Sequence, residues 1–158
     1  MIERWGTHVG IDPGLQHTGY AVLFAGSFTV GSICVHKLSP KEEIPEKLCQ
    51  MLRKAVGNPA IMAIEQASLW GGGTGLSRAR GALGNLEIGA IIHGFFLRGW
   101  ATVVPVKATS WKGGTPKKIF LARVRKKYPT LVLHGQRCGY TDAWDALGIL
   151  LWLERTHV

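Results

Sequence analysis

The chain is short of acid. Of its 158 residues only 10 are Asp or Glu, against 19 Lys and Arg, and the formal net charge is +9. Aspartate occurs at three positions alone, Asp12, Asp142 and Asp145. From Ile88 to Thr141 there is no carboxylate at all, while the same stretch carries Arg98, Lys107, Lys112, Lys117, Lys118, Arg123, Arg125, Lys126, Lys127 and Arg137. Such an imbalance argues against a cationic partner and for a polyanion, nucleic acid first and an anionic membrane surface second. With no acid interleaved over that whole stretch, nucleic-acid contact is the better reading than a solvated basic face. Cysteine is also scarce. Cys34, Cys49 and Cys138 are odd in number and form no CxxC, so neither a disulfide framework nor a zinc site is suggested, and bystander thiols are expected. Long hydrophobic runs are missing too. Residues 1–7 lack the apolar region of a signal peptide, and the most apolar stretch, residues 82–100, is interrupted by Asn85, Glu87, His93 and Arg98, a poor membrane span. The expectation is a soluble, intracellular, cytoplasmic protein without a membrane partner.

What is present suffices for one core. Apolar residues make up 46% of the chain, and the length fits a single domain over residues 1–158, with no repeat and no linker. His8 to Asp12 reads as a strand ending in the turn signal Asp12-Pro13-Gly14. Thr18 to Phe24 and Thr29 to His36 read as two more strands, parted by Ala25-Gly26-Ser27, in an antiparallel meander. Ser39 is the expected N-cap of a helix with Pro40 at its first position, Glu42 and Glu43 in its first turn, and an apolar stripe of Ile44, Leu48, Met51, Leu52 and Val56. Gly57-Asn58-Pro59 ends it. Ala60 to Glu65 is a continuous apolar run, the mark of a buried strand. After the glycine-rich residues 71–75, Ser77 to about Leu97 reads as a helix apolar nearly all round, buried on more than one side or set against a second subunit. Ala101 to Val106 is a strand, 107–115 a loop, Pro116 to Lys127 a basic helix, Leu131 to Leu133 a short ambiguous run, and Thr141 to about Arg155 a final helix with Thr141 as N-cap. This order predicts an α/β domain, a mixed sheet with helices on its faces.

The few acids fall at telling places. Asp12 and Glu65 end strands, where ligands bind in open α/β sheets. Asp142 and Asp145 stand three apart at the start of a helix and project from one face. Alone, a strand-end Asp is often a turn residue, and Asp-x-x-Asp often complements the helix dipole. Together they suggest carboxylates converging on hard divalent cations, Mg²⁺ or Mn²⁺, for which oxygen ligands are suited. Two such ions clamp the attacking and leaving oxygens of a phosphodiester.

The motifs that carry these acids resemble those of the RuvC family of Holliday junction resolvases, within the ribonuclease H-like superfamily. Gly10-Ile11-Asp12-Pro13-Gly14 followed by Thr18-Gly19-Tyr20 is similar to the family's first motif, Ile64-Glu65-Gln66 to its second, and Tyr140-Thr141-Asp142-Ala143-Trp144-Asp145-Ala146-Leu147 to its third. Pro105-Val106-Lys107 and Pro116-Lys117-Lys118 resemble its lysine-bearing segment. The likeness runs in order along essentially the whole chain. It implies a ribonuclease H-like mixed five-stranded sheet with helices on both faces. It also implies a homodimer that nicks four-way DNA junctions by metal-dependent hydrolysis, one strand per subunit, leaving 5′-phosphate and 3′-hydroxyl ends. Carried over residue by residue, it makes Asp12, Glu65, Asp142 and Asp145 ligands for Mg²⁺ or Mn²⁺, two ions per site, with Lys107 and Lys118 on the scissile phosphate.

The chain departs from the pattern in places. The family tends to carry a junction-wedging aromatic after the second motif; here Leu69 or Trp70 is the candidate, with core packing of Trp70 the competing reading. Arg78 and Arg80 are candidates for phosphate contact at a helix N-terminus, as are Lys112 and Lys117 for DNA. Trp111-Lys112 stands where a smaller, glycine-bearing stretch is expected. The short chain suits a compact version, phage-encoded among others. Of the six histidines only His17 lies beside a motif, and a surface or supporting role is expected for it. Three other classes share parts of this pattern. Actin-like ATPases and sugar kinases share the first motif but need two such domains around a nucleotide, so no nucleotide cofactor is expected. A nuclease of this fold acting on RNA or other branched DNA is the stronger rival. A catalytically inactive junction-binding protein fits poorly with four acids in place.

Overall fold

The computed structural model describes residues 6–37, 43–66, 76–99 and 101–157, without the side chains of residues 37 and 76–80. Six strands, β1 (His8–Asp12), β2 (His17–Phe24), β3 (Ser27–Cys34), β4 (Ile61–Gln66), β5 (Thr102–Lys107) and β6 (Leu133–His134), form one mixed sheet in the order β5-β4-β1-β2-β3-β6. The first five make the expected five-stranded arrangement; β6 adds two residues beside β3, where Val30 pairs with Leu133. Strands β1, β2 and β3 are an antiparallel meander. The β2–β3 turn is Ala25-Gly26, both at positive φ (48° and 78°), the backbone of a tight hairpin whose twist suits the strands. Strands β1, β4 and β5 run parallel, joined by crossover helices.

The helices are α1 (Ile44–Val56), α2 (Leu76–Arg98), α3 (Ala108–Lys112), α4 (Lys117–Lys127) and α5 (Tyr140–His157). They cover both faces. On one, Leu48 and Leu52 of α1 and Ile88, Ile92 and Phe96 of α2 pack on Val9, Ile11, Met62 and Ile64. On the other, Leu147, Leu150 and Leu153 of α5 pack with Ala21, Val30, Ala63 and Val106, and Trp111 and Val124 close the edge. Each such aliphatic side chain contributes about 1.5–3 kcal/mol when taken out of water.

Close approach explains how tightly α5 is seated. A β-carbon at Gly10 would overlap the Ala146 carbonyl oxygen and lie 2.6 Å from the Leu150 nitrogen. The strand backbone therefore meets the helix backbone directly, which only a glycine permits here.

Four readings of the sequence need correction. The stretch 107–115 is not all loop: α3 forms there because Trp111 is drawn into the core, 4% exposed, and Gly113 at φ 59° ends the turn. Thr141 is not an N-cap. A 3-10 turn over Arg137–Gly139 runs straight into α5, so Thr141 lies inside the helix. Of the two readings of α2, burial on more than one side is not met: Leu83, Leu86 and Leu97 face outward, at 53%, 38% and 57% exposure, which leaves the reading of a face set against a second subunit open. Helix α1 begins at Ile44, with Pro45 in its first turn; the cap expected at Ser39, Pro40 and Glu42 lies outside the described residues. Among the described residues no helix is long and apolar enough to cross a membrane.

Candidate active site

Two parallel strands end side by side. The register pairs Ile11 with Ile64, so Asp12 and Glu65, each the next residue, leave the sheet at the same edge. On the other flank of β1, Asp12 pairs with Gly19 of β2. A β-carbon at Gly19 would overlap the Asp142 carbonyl and lie 2.9 Å from the Ala143 nitrogen. The bare strand thus admits the first turn of α5, which carries Asp142 to the end of β1, with Asp145 one turn further on the same face. The four acids read from the sequence are brought together.

Their electrostatics show how crowded they are. Asp12 is pushed well above the usual carboxylate range, by burial first and then by the charges of Glu65, Asp145 and Asp142; Lys112 acts the other way. Glu65 is raised by burial, against the pull of Lys112 and of the Trp111 indole N–H, which donates to Glu65 Oε2 at 2.5 Å. Asp142 is raised by burial, opposed by Lys117 and His17. Asp145 is 3% exposed. Lys117 Nζ sits 2.6 Å and Lys112 Nζ 3.7 Å from its Oδ2. Burial would lower the Lys117 ammonium, but the hydrogen bond and charge of Asp145 outweigh this and raise it. Asp145 Oδ1 is buried with no hydrogen-bond partner among the described residues.

This donor set fits hard divalent cations. All the donors are carboxylate oxygens, one of them a buried orphan, and three of the groups are raised because negative charge is crowded in a poorly solvated place. Within the described arrangement the carboxylates are more loosely spaced than a closed metal cage. The group of three donor side chains whose ligand atoms all lie within 4.8 Å of one another is His17, Cys34 and His36.

Of the lysines, those ion-paired to the site are Lys112 and Lys117, which the sequence suggested only as DNA contacts. Lys107 ends β5 opposite Gln66, and Lys118 follows on α4; both are exposed. Leu69 and Trp70 lie outside the described residues, and Arg78 and Arg80 are placed on α2 without their side chains. Sequence reasoning missed Trp111 as the donor to Glu65, because nothing local to residues 107–115 announces a partner 46 residues away. Of the surface and supporting roles expected for His17, the structure favours the supporting one: the ring is buried and its charge acts on Asp142. The exposed face of α4 carries Lys118, Arg123, Arg125, Lys126 and Lys127, beside Lys117 at the carboxylates.

No family model matches the sequence, and no curated protein matches it. Solved structures do. Thermus thermophilus RuvC in complex with a Holliday junction substrate is 17% identical, with 96% of each chain covered and a TM-score of 0.61. Fowlpox virus resolvase in complex with Holliday junction DNA is 15% identical over 96% of this chain and 99% of the viral one, TM-score 0.66. The yeast mitochondrial Holliday junction resolvase Ydc2 is 10% identical over 98% of this chain and 82% of that one, TM-score 0.64. From bacterium, virus and mitochondrion alike, the architecture is the same: the chain has the ribonuclease H-like fold of the RuvC-type Holliday junction resolvases.

Proposed function

We propose that the protein is a single-domain, metal-dependent endonuclease that resolves four-way DNA junctions as a homodimer. Each subunit nicks one strand and leaves 5′-phosphate and 3′-hydroxyl ends. The observation that carries this reading is the meeting of Asp12, Glu65, Asp142 and Asp145 at one sheet edge, beside a strongly basic helix. The fold of proteins solved on junction DNA supports the choice of substrate.

In this reading the four carboxylates hold Mg²⁺ or Mn²⁺, two ions per site, which when bound supply an activated water and charge stabilisation at the scissile phosphate. The chain's own residues do the rest. Trp111 holds Glu65 in place through its indole N–H. Lys117 and Lys112 neutralise Asp145 in the protein alone, and their long stems let the ammonium groups turn to DNA phosphates when the carboxylates are otherwise compensated. Lys107 and Lys118, exposed beside them, are the residues that the family resemblance assigns to the scissile phosphate. Leu69 or Trp70 would open the junction centre, and Arg78 and Arg80 would hold its backbone. The second subunit fits against α1 and α2, where a groove of about 610 Å³ is lined by Cys49, Ile91, Phe95 and Phe96, near the outward Leu83, Leu86 and Leu97.

The test is cleavage of a labelled synthetic four-way junction beside linear duplex and RNA–DNA hybrid, with and without Mg²⁺. Metal-dependent nicks on the junction alone are expected. Preferential cutting of the hybrid would instead favour a ribonuclease, and tight junction binding without cutting an inactive binder.

A further inference from the structure

Outside the carboxylate site, three soft metal donors, His17, Cys34 and His36, meet, and a fourth, Cys138, reaches His17 from a distant part of the chain. His17 opens β2, Cys34 ends β3, His36 lies in the 3-10 turn Val35–Lys37, and Cys138 lies in the turn that feeds α5. His17 Nε2 is 3.5 Å from Cys34 Sγ and 3.0 Å from Cys138 Sγ. Cys34 Sγ is 3.6 Å from His36 Nδ1 and 3.8 Å from its Nε2. His17, Cys34 and His36 have ligand atoms all within 4.8 Å of one another. Zinc bonds sulfur at about 2.3 Å and imidazole nitrogen at about 2.0–2.1 Å, so a tetrahedral ion sets its S···N edges at about 3.6 Å. The edge from Cys34 to His17 Nε2, at 3.5 Å, has that length without an ion, and the edge from Cys34 to His36 Nε2, at 3.8 Å, is within about 0.2 Å of it.

The surroundings fit as well. His36 Nδ1 lies 3.2 Å from the Gln16 carbonyl oxygen, to which it can donate. That bond leaves Nε2 as the ligand atom, the outer-shell arrangement typical of metal-bound histidine. Cys49, the remaining cysteine, is a buried residue of α1 and plays no part.

We infer that His17, Cys34, His36 and Cys138 form a structural zinc site of the Cys₂His₂ type. Each thiol gives up its proton as its sulfur–zinc bond forms, and the imidazoles bind as neutral rings. Spacing along the chain hid the site, because no two of its cysteines fall in a short motif. Its consequence is mechanical. The ion would tie the turn before α5 to the ends of β2 and β3, and so fix the helix whose first turn carries Asp142.

The test is metal content, not activity. Protein purified without chelator and dialysed should hold one zinc per chain by elemental analysis. Cys34→Ser and Cys138→Ser should each lose it, while Asp145→Asn keeps it. Whether or not the cysteine variants fold, cobalt(II) added to chelator-treated wild-type protein should give the sulfur-to-metal charge-transfer band and the intense visible bands of a tetrahedral site. Three results would overturn the inference: purified protein free of zinc whose cobalt form lacks the sulfur band, a Cys34–Cys138 disulfide in the purified protein, or zinc retained by both cysteine variants and lost from Asp145→Asn.

Discussion

Replacing Gly19 by alanine is a one-carbon change that should separate the fold from the chemistry. The new methyl would overlap the Asp142 carbonyl and approach the Ala143 nitrogen to 2.9 Å, where ordinary contact begins at 3.4 Å. The neighbouring atoms are backbone on both sides, so no side chain can swing away; the first turn of α5 must retreat by about 1 Å or more to clear the Asp142 carbonyl. The rest of α5 is held by Leu147, Leu150 and Leu153 in the core, so the retreat falls on the end that bears Asp142. Overpacking of this kind costs about 1–3 kcal/mol, and at this chain length each kcal/mol lowers Tm by about 2–4 °C. The catalytic loss should be larger than the stability loss suggests, since a misplacement of about 1 Å costs on the order of 10²-fold in rate. Single-turnover nicking of a four-way junction at saturating Mg²⁺ measures the rate, a gel shift in Ca²⁺ measures binding, and a thermal melt gives stability. Gly81→Ala is the control: no heavy atom lies within 4 Å of its would-be β-carbon, and on a helix it should be neutral or stabilising by up to about 1 kcal/mol. A Gly19→Ala protein that melts and nicks like wild type would refute the claim that bare strand backbone seats the Asp142 turn.

The remaining predictions concern charge at the site. Asp12 binds its proton more tightly in the folded chain than in the unfolded one, so the folded state holds the extra proton as pH rises through the interval above 3.8, and this group's contribution to stability falls there. Asp12→Asn should therefore raise Tm at pH 7 without divalent metal, and the gain should shrink toward pH 4; an equal gain at both values would show that burial of charge is not the cause. Lys117→Ala strips Asp145 of its nearest cation, and with the lysine itself half exposed the cost should be about 1–2 kcal/mol by urea melts; an unchanged midpoint would show that Lys112 alone suffices. Trp111→Phe keeps most of the packing against Phe120 but removes the N–H to Glu65, which should lower stability by about 1–3 kcal/mol and slow nicking; a variant with only the stability loss would make Trp111 a packing residue.

The sequence made the scaffold legible where the physics is local. Turn signals bracket β1 to β3, and a glycine marks the end of α1. The acids could be read because each sits at or within about a turn and a half of an element's end, where a side chain of a given type has a known direction. What escaped depends on contacts between segments far apart. Helix α3 exists because Trp111 finds the core, and no periodicity shows in five residues. Lys112 and Lys117 looked like any other members of a basic run until α3 and α4 placed them on Asp145. The sequence left the outer side of α2 open between core and a second subunit, because apolar composition alone cannot tell a core face from a face left for another partner. The His17, Cys34, His36 and Cys138 cluster draws its ligands from three separated stretches, with only Cys34 and His36 close in sequence, so spacing rules for metal sites do not register it.

The central claim is paired, metal-dependent cutting of a junction by the four carboxylates. A supercoiled plasmid that extrudes a cruciform tests it in one lane, because two nicks made within the life of one complex give linear DNA, whereas independent nicks give open circles first. With Mg²⁺, wild-type protein should convert the plasmid directly to linear form, and Asp145→Asn should bind the cruciform and leave it intact. Open circles accumulating ahead of linear product, or linear product from Asp145→Asn, would contradict the account.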